Sequence, residues 1–228
     1  MKLRLFQKHR VTNKNKKMKK LIILLVVIMG YNTTIAQQVK DLKYFYTDNN
    51  MYSPSSWSIN RVYYKDVNNY FTPFLGQWKS TTGNQTFVLT LWKETQNPTN
   101  DRNGEVLFYS DNILGHYVIY QDYGLSTQTQ LYTSQINIGN SSQIWPSVFS
   151  GKVVYPNQNK LSGGIYDVNA TPLNPTKYPM GFQGSVTMTI NNTTTPPTAQ
   201  WRVVHYGFTR TSQPKNFVIP TNVILTKI

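Results

Sequence analysis

The sequence predicts an all-β protein that folds as a single antiparallel β-barrel of about ten strands, with a β-sandwich as the alternative. Three observations support this fold class. Short runs rich in Val, Ile, Thr, Tyr and Phe alternate with polar residues along most of the chain. Gly, Pro and Asn separate these runs at intervals typical of serial strands and turns. Apolar residues at helical spacing are almost absent after the first 36 residues.

The first 36 residues have the composition of a secretory signal peptide with a basic N-terminal extension. Nine Lys and Arg residues and no acidic residue lie within residues 1–20, and an unbroken apolar run follows at 21–29. Small and polar residues then lead to Ala36, after which we expect cleavage. Met18 is a more natural start than Met1, because the basic stretch before it is unusually long. The sequence therefore predicts an exported protein, either periplasmic or extracellular.

Charge and length describe the remaining chain as one globular domain. The full chain of 228 residues has a net charge of +14, and nine of its 23 Lys and Arg residues lie in the first 36, so their removal lowers the net charge to +5. That excess is too small to indicate nucleic-acid binding. The apolar run is shorter than the roughly 20 residues that span a bilayer, so we expect no transmembrane segment in the mature chain. The chain has no cysteine, which excludes disulfides, thiolate catalysis and Cys-ligated metals.

The strands are assigned in order along the mature chain. Residues 37–55 are polar and predict an irregular lead-in, and residues 56–228 form the predicted barrel domain. The strands are predicted at 57–64, 71–80, 86–94, 105–110, 116–122, 130–138, 148–155, 163–168, 184–190, 200–208 and 223–227. Asn103-Gly104 is a strong hairpin signal, and the Thr- and Pro-rich residues 191–197 predict another turn.

One short motif connects this pattern to a known group of barrels. The second predicted strand contains Gly76-Gln77-Trp78, which resembles the Gly-x-Trp opening of lipocalin-type (calycin) barrels. The resemblance implies that Gly76 admits the chain into the barrel and that Trp78 fills its closed end. It also implies that an Arg near the last strands packs over the indole ring, and Arg202 and Arg210 are the two candidates. The whole mature chain also resembles small secreted proteins of unknown function from flavobacteria (Bacteroidota), which share a Phe-x-Gly-x-Trp-Lys stretch.

Residues able to carry catalysis or bind a metal are sparse. The mature chain has two histidines, His116 and His205, each inside a predicted strand and without a partner at metal-ligand spacing. Glu94 and Glu105 face each other across a predicted hairpin; paired carboxylates can serve a glycosidase, but hairpin ends more often carry solvated charge. No Gly-x-Ser-x-Gly, Ser-x-x-Lys or phosphate-binding loop occurs. We therefore expect no catalytic residue, no metal, no cofactor and no enzyme.

Aromatic residues supply the main functional indication. They make up 14% of the chain and include 16 Tyr. Aromatic faces inside a cavity bind apolar ligands, whereas on a surface they stack on sugars or proteins. The sequence therefore predicts a non-enzymatic binding protein for a small apolar or amphiphilic ligand. It leaves open a surface interaction module that binds glycan or another envelope protein through exposed aromatics, and it assigns no ligand-binding residue.

Overall fold

The computed structural model describes residues 37–48, 62–136, 147–170, 181–205 and 216–228. The described residues from Gln38 onward belong to one compact unit. The predicted signal peptide, part of the lead-in and Arg210 lie outside the described residues.

Eleven β-strands occur in the described residues, together with two short 3₁₀ turns, Leu42–Tyr44 and Thr72–Phe74. The strands are β1 (Val39–Asp41), β2 (Tyr63–Lys65), β3 (Gly76–Thr82), β4 (Gln85–Asn100), β5 (Val106–Gln121), β6 (Thr129–Thr133), β7 (Phe149–Val153), β8 (Lys160–Asp167), β9 (Phe182–Asn191), β10 (Thr198–His205) and β11 (Asn222–Lys227). The predicted all-β class is confirmed.

Eight of these strands close into an antiparallel barrel. Around the ring they follow the order β3, β4, β5, β7, β8, β9, β10 and β11, which is their order in the chain, and β11 pairs with β3 to complete it. The predicted single antiparallel barrel is therefore confirmed against the sandwich alternative. The other three strands lie outside the ring: β1 and β2 join β5 in parallel, and β6 pairs with β5 in antiparallel register.

Strand β5 differs most from the sequence-based assignment. The predicted strands at 105–110 and 116–122 form one continuous strand of 16 residues. The polar pair Asp111-Asn112 separates the two predicted strands. In the structure both side chains are buried. Asp111 accepts hydrogen bonds from Tyr63 and from backbone amides of neighbouring segments. Since tertiary partners satisfy the carboxylate, the strand continues through it.

Large side chains fill the middle of the barrel. Phe87, Leu89 and Leu91 alternate along β4 and are all buried, as their period-two spacing predicts. The ring of Trp201 on β10 lies 6.1 Å from that of Phe87 and 6.2 Å from that of Phe149, measured between centroids. These contacting rings are within the aromatic packing range, so this level of the barrel is a packed core.

The segment 66–75 packs against the end of the barrel at which β3 begins. Phe71 and Phe74 of this segment are fully buried in the core. The indole Nε1 of Trp78 donates a 2.7 Å hydrogen bond to the Phe74 carbonyl, and Lys227 Nζ donates a 2.9 Å bond to the Pro73 carbonyl. The first and the last strands of the barrel, β3 and β11, thus both hold the Thr72–Phe74 turn in place.

Candidate binding surface

Gly76 and Trp78, the two sequence-predicted residues of the Gly-x-Trp stretch, lie at the end of the barrel against which the segment 66–75 packs. Gly76 begins β3 with a φ of 105°, a conformation that favours glycine. Trp78 is fully buried, and Lys227 Nζ lies 5.4 Å from the centroid of its ring. In the described part of the chain, this lysine supplies the cation over the indole. Arg202 lies on the exposed outer face of β10, between the buried side chains of Trp201 and Val203.

The residues weighed as catalytic candidates are separate from one another. His116 lies on β5 with its ring 5.6 Å from that of Trp92, and burial lowers the pKa of this histidine. His205 stacks on Phe182, with ring centroids 4.4 Å apart.

The two glutamates are not brought together. The β4–β5 register pairs Glu94 with Asn112 and Asn100 with Val106. Glu105 directly precedes Val106, so roughly 20 Å of extended strand separates it from Glu94. Both glutamates are exposed, and the distance is too long for a cooperating carboxylate pair.

A buried ionic cluster connects β2, β4, β5 and the segment 66–75. Lys93 Nζ lies 3.2 Å from Asp111 and 3.3 Å from Asp66, whose carboxylates are almost completely buried. Burial acts to raise the pKa of Asp111, but hydrogen bonds from Tyr63, the amides of Asp66 and Gln96, and Lys93 outweigh it and lower the pKa. Because its members satisfy one another, the cluster is a structural link between elements.

Lys152 on β7 is a second partly buried cation. Its ammonium donates a hydrogen bond to Asn112 Oδ1 and lies 4.4 Å from the centroid of the Phe45 ring. Burial lowers the pKa of Lys152 to about 8, although the charge of Asp111 acts in the opposite direction. Phe45 belongs to residues 37–48, which we call the N-terminal segment. The contact between Phe45 and Lys152 therefore holds this segment against the outside of the barrel.

An open cleft of about 500 Å³ lies in the same N-terminal segment. It is lined by Val39, Lys40, Asp41, Tyr44, Thr47 and Asp48. The Tyr44 side chain is 50% exposed and Val39 is 54% exposed, so apolar and aromatic surface faces solvent here. We call this feature the β1 cleft. Its volume lies within the roughly 300–1,000 Å³ of small-molecule sites.

Hydrogen bonds fix both carboxylates of the β1 cleft. Asp48 accepts bonds from the Lys40 ammonium and from the Tyr64 hydroxyl, the latter at 2.8 Å. Asp41 caps the Leu42–Tyr44 turn by accepting from the Lys43 amide at 2.9 Å, and its other oxygen accepts from Asn68 Nδ2 at 2.6 Å. The acceptor oxygens are therefore held in place before any ligand arrives.

Two further tyrosines have exposed side chains. Tyr46 is 56% exposed and Tyr155 is 45% exposed. Lys43 Nζ lies 5.0 Å from the centroid of the Tyr44 ring. The pKa of Lys43 is raised, mainly by Tyr44, with smaller contributions from Asp41 and Tyr155.

Sequence reasoning missed this cleft because it assigned residues 37–55 to an irregular lead-in. The described part of that stretch contains β1 and a capped 3₁₀ turn. Two signals were present in the sequence. Asp41 precedes the turn in an N-cap position, and Tyr44-Phe45-Tyr46 concentrates three rings in a polar stretch.

The described residues contain no group of three or more His, Asp or Glu side chains able to hold a metal ion. Within the same residues, no helix has the length and apolar character needed to cross a membrane.

A closed barrel with a packed middle and a cleft on its outer side defines the class: this is a small single-sheet β-barrel protein. Residues 18–228 match a protein family described as "Family of unknown function (DUF6705)", and the chain belongs to that family. No curated protein and no solved structure matches the chain.

Proposed function

We propose that this protein is an exported, non-enzymatic binding protein whose ligand lies on the outer surface, in the β1 cleft. One observation carries the proposal: an exposed aromatic ring, Tyr44, lines an open cleft together with two carboxylates that are already fixed by hydrogen bonds. The basic and apolar composition of residues 1–36 supports export to the periplasm or the cell exterior.

The packed middle of the barrel favours an outer site over an internal carrier. Trp201 contacts both Phe87 and Phe149 there, and all three side chains are at most 2% exposed. A small apolar ligand at this level would have to displace at least one ring. Removing a large aromatic from such a core costs about 3–5 kcal/mol, which the ligand's own contacts would first have to offset.

Ligand binding in the β1 cleft displaces no core side chain and so has no comparable cost. Asp41 keeps its partners when a ligand enters, because each of its oxygens accepts from one donor and has a second lone pair. Side chains already held in one conformation lose little entropy on binding, and this raises affinity for a given set of contacts. The cleft is therefore prepared for a ligand that hydrogen-bonds and stacks.

The location of the site is tested by NMR on isotope-labelled protein comprising residues 37–228. The protein is titrated with a fragment mixture of sugars, amphiphiles and aromatic amines. We expect the perturbed amides to cluster at residues 39–48. Clustering on the inward-facing residues of β4, β7 and β10 would overturn the proposal in favour of an internal ligand.

Native mass spectrometry supplies an independent check. The protein is purified from its producing organism and compared before and after organic extraction. A bare polypeptide mass in both samples agrees with an outer, exchangeable site. A discrete apolar adduct that extraction removes contradicts it.

A further inference from the structure

We infer that the β1 cleft binds a neutral carbohydrate, with Tyr44 stacked on the apolar face of a sugar ring and Asp41 and Asp48 accepting hydrogen bonds from its hydroxyls. The inference rests on the proposed function, since it names the ligand class for the same cleft.

The aromatic contribution comes from Tyr44. Half of its surface is open to solvent, while the Lys43 ammonium lies 5.0 Å from the ring centroid. An exposed aromatic ring offers a flat, rigid platform at low entropic cost. Pyranose rings present a face of C–H groups, which packs on such a platform.

The hydrogen-bonding contribution comes from the two carboxylates. Ionised carboxylates only accept hydrogen bonds, and each can accept several, so they suit a ligand rich in hydroxyl donors. Asp48 is held by Tyr64 and Lys40, and Asp41 by Asn68 and the Lys43 amide. Charge-assisted bonds of this kind are stronger than neutral ones and also set the orientation of the ligand.

The charge balance of the cleft favours a neutral ligand. Lys40 forms an ion pair with Asp48, and Lys43 Nζ lies 3.9 Å from Asp41. Lys65, which is next to Asp41 in the β1–β2 register, is exposed to water, where its charge is screened. An anion or a cation would therefore gain little net attraction. A purely apolar ligand would bury the carboxylates away from water without new donors, which costs binding energy.

The test is an array of neutral oligosaccharides, with uronate-bearing and sulfated oligosaccharides beside them, probed with residues 37–228 displayed multivalently. The best neutral oligosaccharide is then titrated by calorimetry against single variants. We expect Tyr44→Ala to weaken binding by about tenfold, because the stacking contact is lost. Asp48→Asn should weaken it by a similar factor, because the amide nitrogen cannot accept a hydroxyl proton.

Tyr132→Ala is the matched control, since Tyr132 on β6 is similarly exposed, at 41%. Strand β2, which carries β1, pairs with β5 at Tyr109, whereas Tyr132 pairs with β5 at Ile119. About ten residues of β5 therefore separate the control position from the strands next to the cleft. Full affinity of Tyr132→Ala alongside weak binding of Tyr44→Ala supports the inference.

Three results would overturn the inference: no binding to any neutral oligosaccharide, a preference for charged glycans, or equal affinity of the Tyr44→Ala and Tyr132→Ala variants. These outcomes are separable from failure of the proposed function. Fragments other than sugars that perturb residues 39–48 in the NMR titration would keep the cleft as the site and eliminate carbohydrate as its ligand. Perturbation elsewhere would eliminate both.

Discussion

The Lys227 ammonium lies over the indole ring of Trp78, 5.4 Å from its centroid, and so connects the last strand of the barrel to the first. The two residues are paired in the β11–β3 register that closes the ring. The same ammonium donates a hydrogen bond to the Pro73 carbonyl. The Lys227 side chain therefore contributes to closure of the barrel and also holds the segment 66–75 in place.

Lys227→Met should lower the free energy of unfolding by about 2 kcal/mol. The substitution keeps most of the apolar stem but removes the cation–π contact and the hydrogen bond to Pro73, each worth about 1 kcal/mol. Urea unfolding followed by tryptophan fluorescence measures the change. Lys65→Met, at an exposed position at the end of β2, is the control and should change stability by less than about 0.5 kcal/mol. Equal effects of the two variants would contradict this role for Lys227.

The sequence predicts the barrel because its inward residues follow a local rule. Phe87, Leu89 and Leu91 alternate, and the alternation survives in the structure as a buried face of β4. The position of Lys227 was also readable in principle. Leu225 is buried, so the residue two positions later lies on the same inward face. The Gly-x-Trp resemblance drew attention to arginines instead, and Arg202 lies on the outer face.

The geometry of the β1 cleft could not be predicted, because it depends on pairings distant in sequence. Asp48 is oriented by Tyr64, and Asp41 by Asn68, from a segment more than 15 residues further along. Strand β1 has three residues, too few to show a period. Local pattern therefore predicts the strands of the ring, whereas the positions of β1 and β2 depend on their pairing with each other and with β5.

Substitution of Asp167, whose buried carboxylate lies at the end of β8, should lower the free energy of unfolding. Its Oδ1 accepts from the Tyr117 hydroxyl at 2.8 Å and from the Asn169 amide, and its Oδ2 accepts from the two backbone amides of Val218 and Ile219. Asp167→Asn therefore places an NH₂ group opposite two donors whichever oxygen it replaces, and should cost about 2–4 kcal/mol. Tyr117→Phe should cost about 1 kcal/mol less than this. Chemical denaturation of both variants and the double variant measures the coupling, and strict additivity would show that the two groups act independently.

Lys152 should make stability depend on pH on the alkaline side. Its pKa falls to about 8 in the folded chain from an ordinary 10.5, so between these values the unfolded state binds more protons. The contribution of Lys152 to the free energy of unfolding therefore rises with pH across that window, and below pH 8 the buried ammonium is a cost. Lys152→Met removes this pH-dependent cost together with the hydrogen bond to Asn112 and the contact with Phe45. The free energy of unfolding of the variant relative to the native protein should therefore be higher at pH 7 than at pH 10, by on the order of 2–3 kcal/mol.

The measurement for Lys152 is a series of urea unfolding curves at pH 7, 8, 9 and 10. The free energy of unfolding of Lys152→Met relative to the native protein should fall as pH rises. The reason is that the native lysine loses its proton, and a neutral amine costs less to bury than an ammonium. Lys65→Met again serves as the control, because its side chain is exposed. A difference that stays constant across the series would mean that apolar packing against Phe45, and not charge, accounts for it.

The neighbouring glycines Gly163 and Gly164 should respond oppositely to the same substitution. A Cβ on Gly163 would lie 2.2 Å from the Ser150 carbonyl oxygen and 2.7 Å from the Gly151 Cα, which are backbone atoms of the paired strand β7. Gly163→Ala therefore forces β7 and β8 apart and should cost about 3 kcal/mol or prevent folding. A Cβ on Gly164 meets nothing closer than the Gly184 carbonyl oxygen at 3.8 Å.

Gly164→Ala should accordingly change stability by less than about 1 kcal/mol, with a gain expected from the lower entropy of the unfolded chain. Thermal unfolding by circular dichroism compares the two variants, and their yields of folded protein are recorded together. Because β7 and β8 are adjacent strands of the closed ring, separating them at Gly163 would also disturb the β5–β7 pairing at Gly151. Similar melting temperatures for the two alanine variants would show that this part of the ring tolerates wider strand spacing.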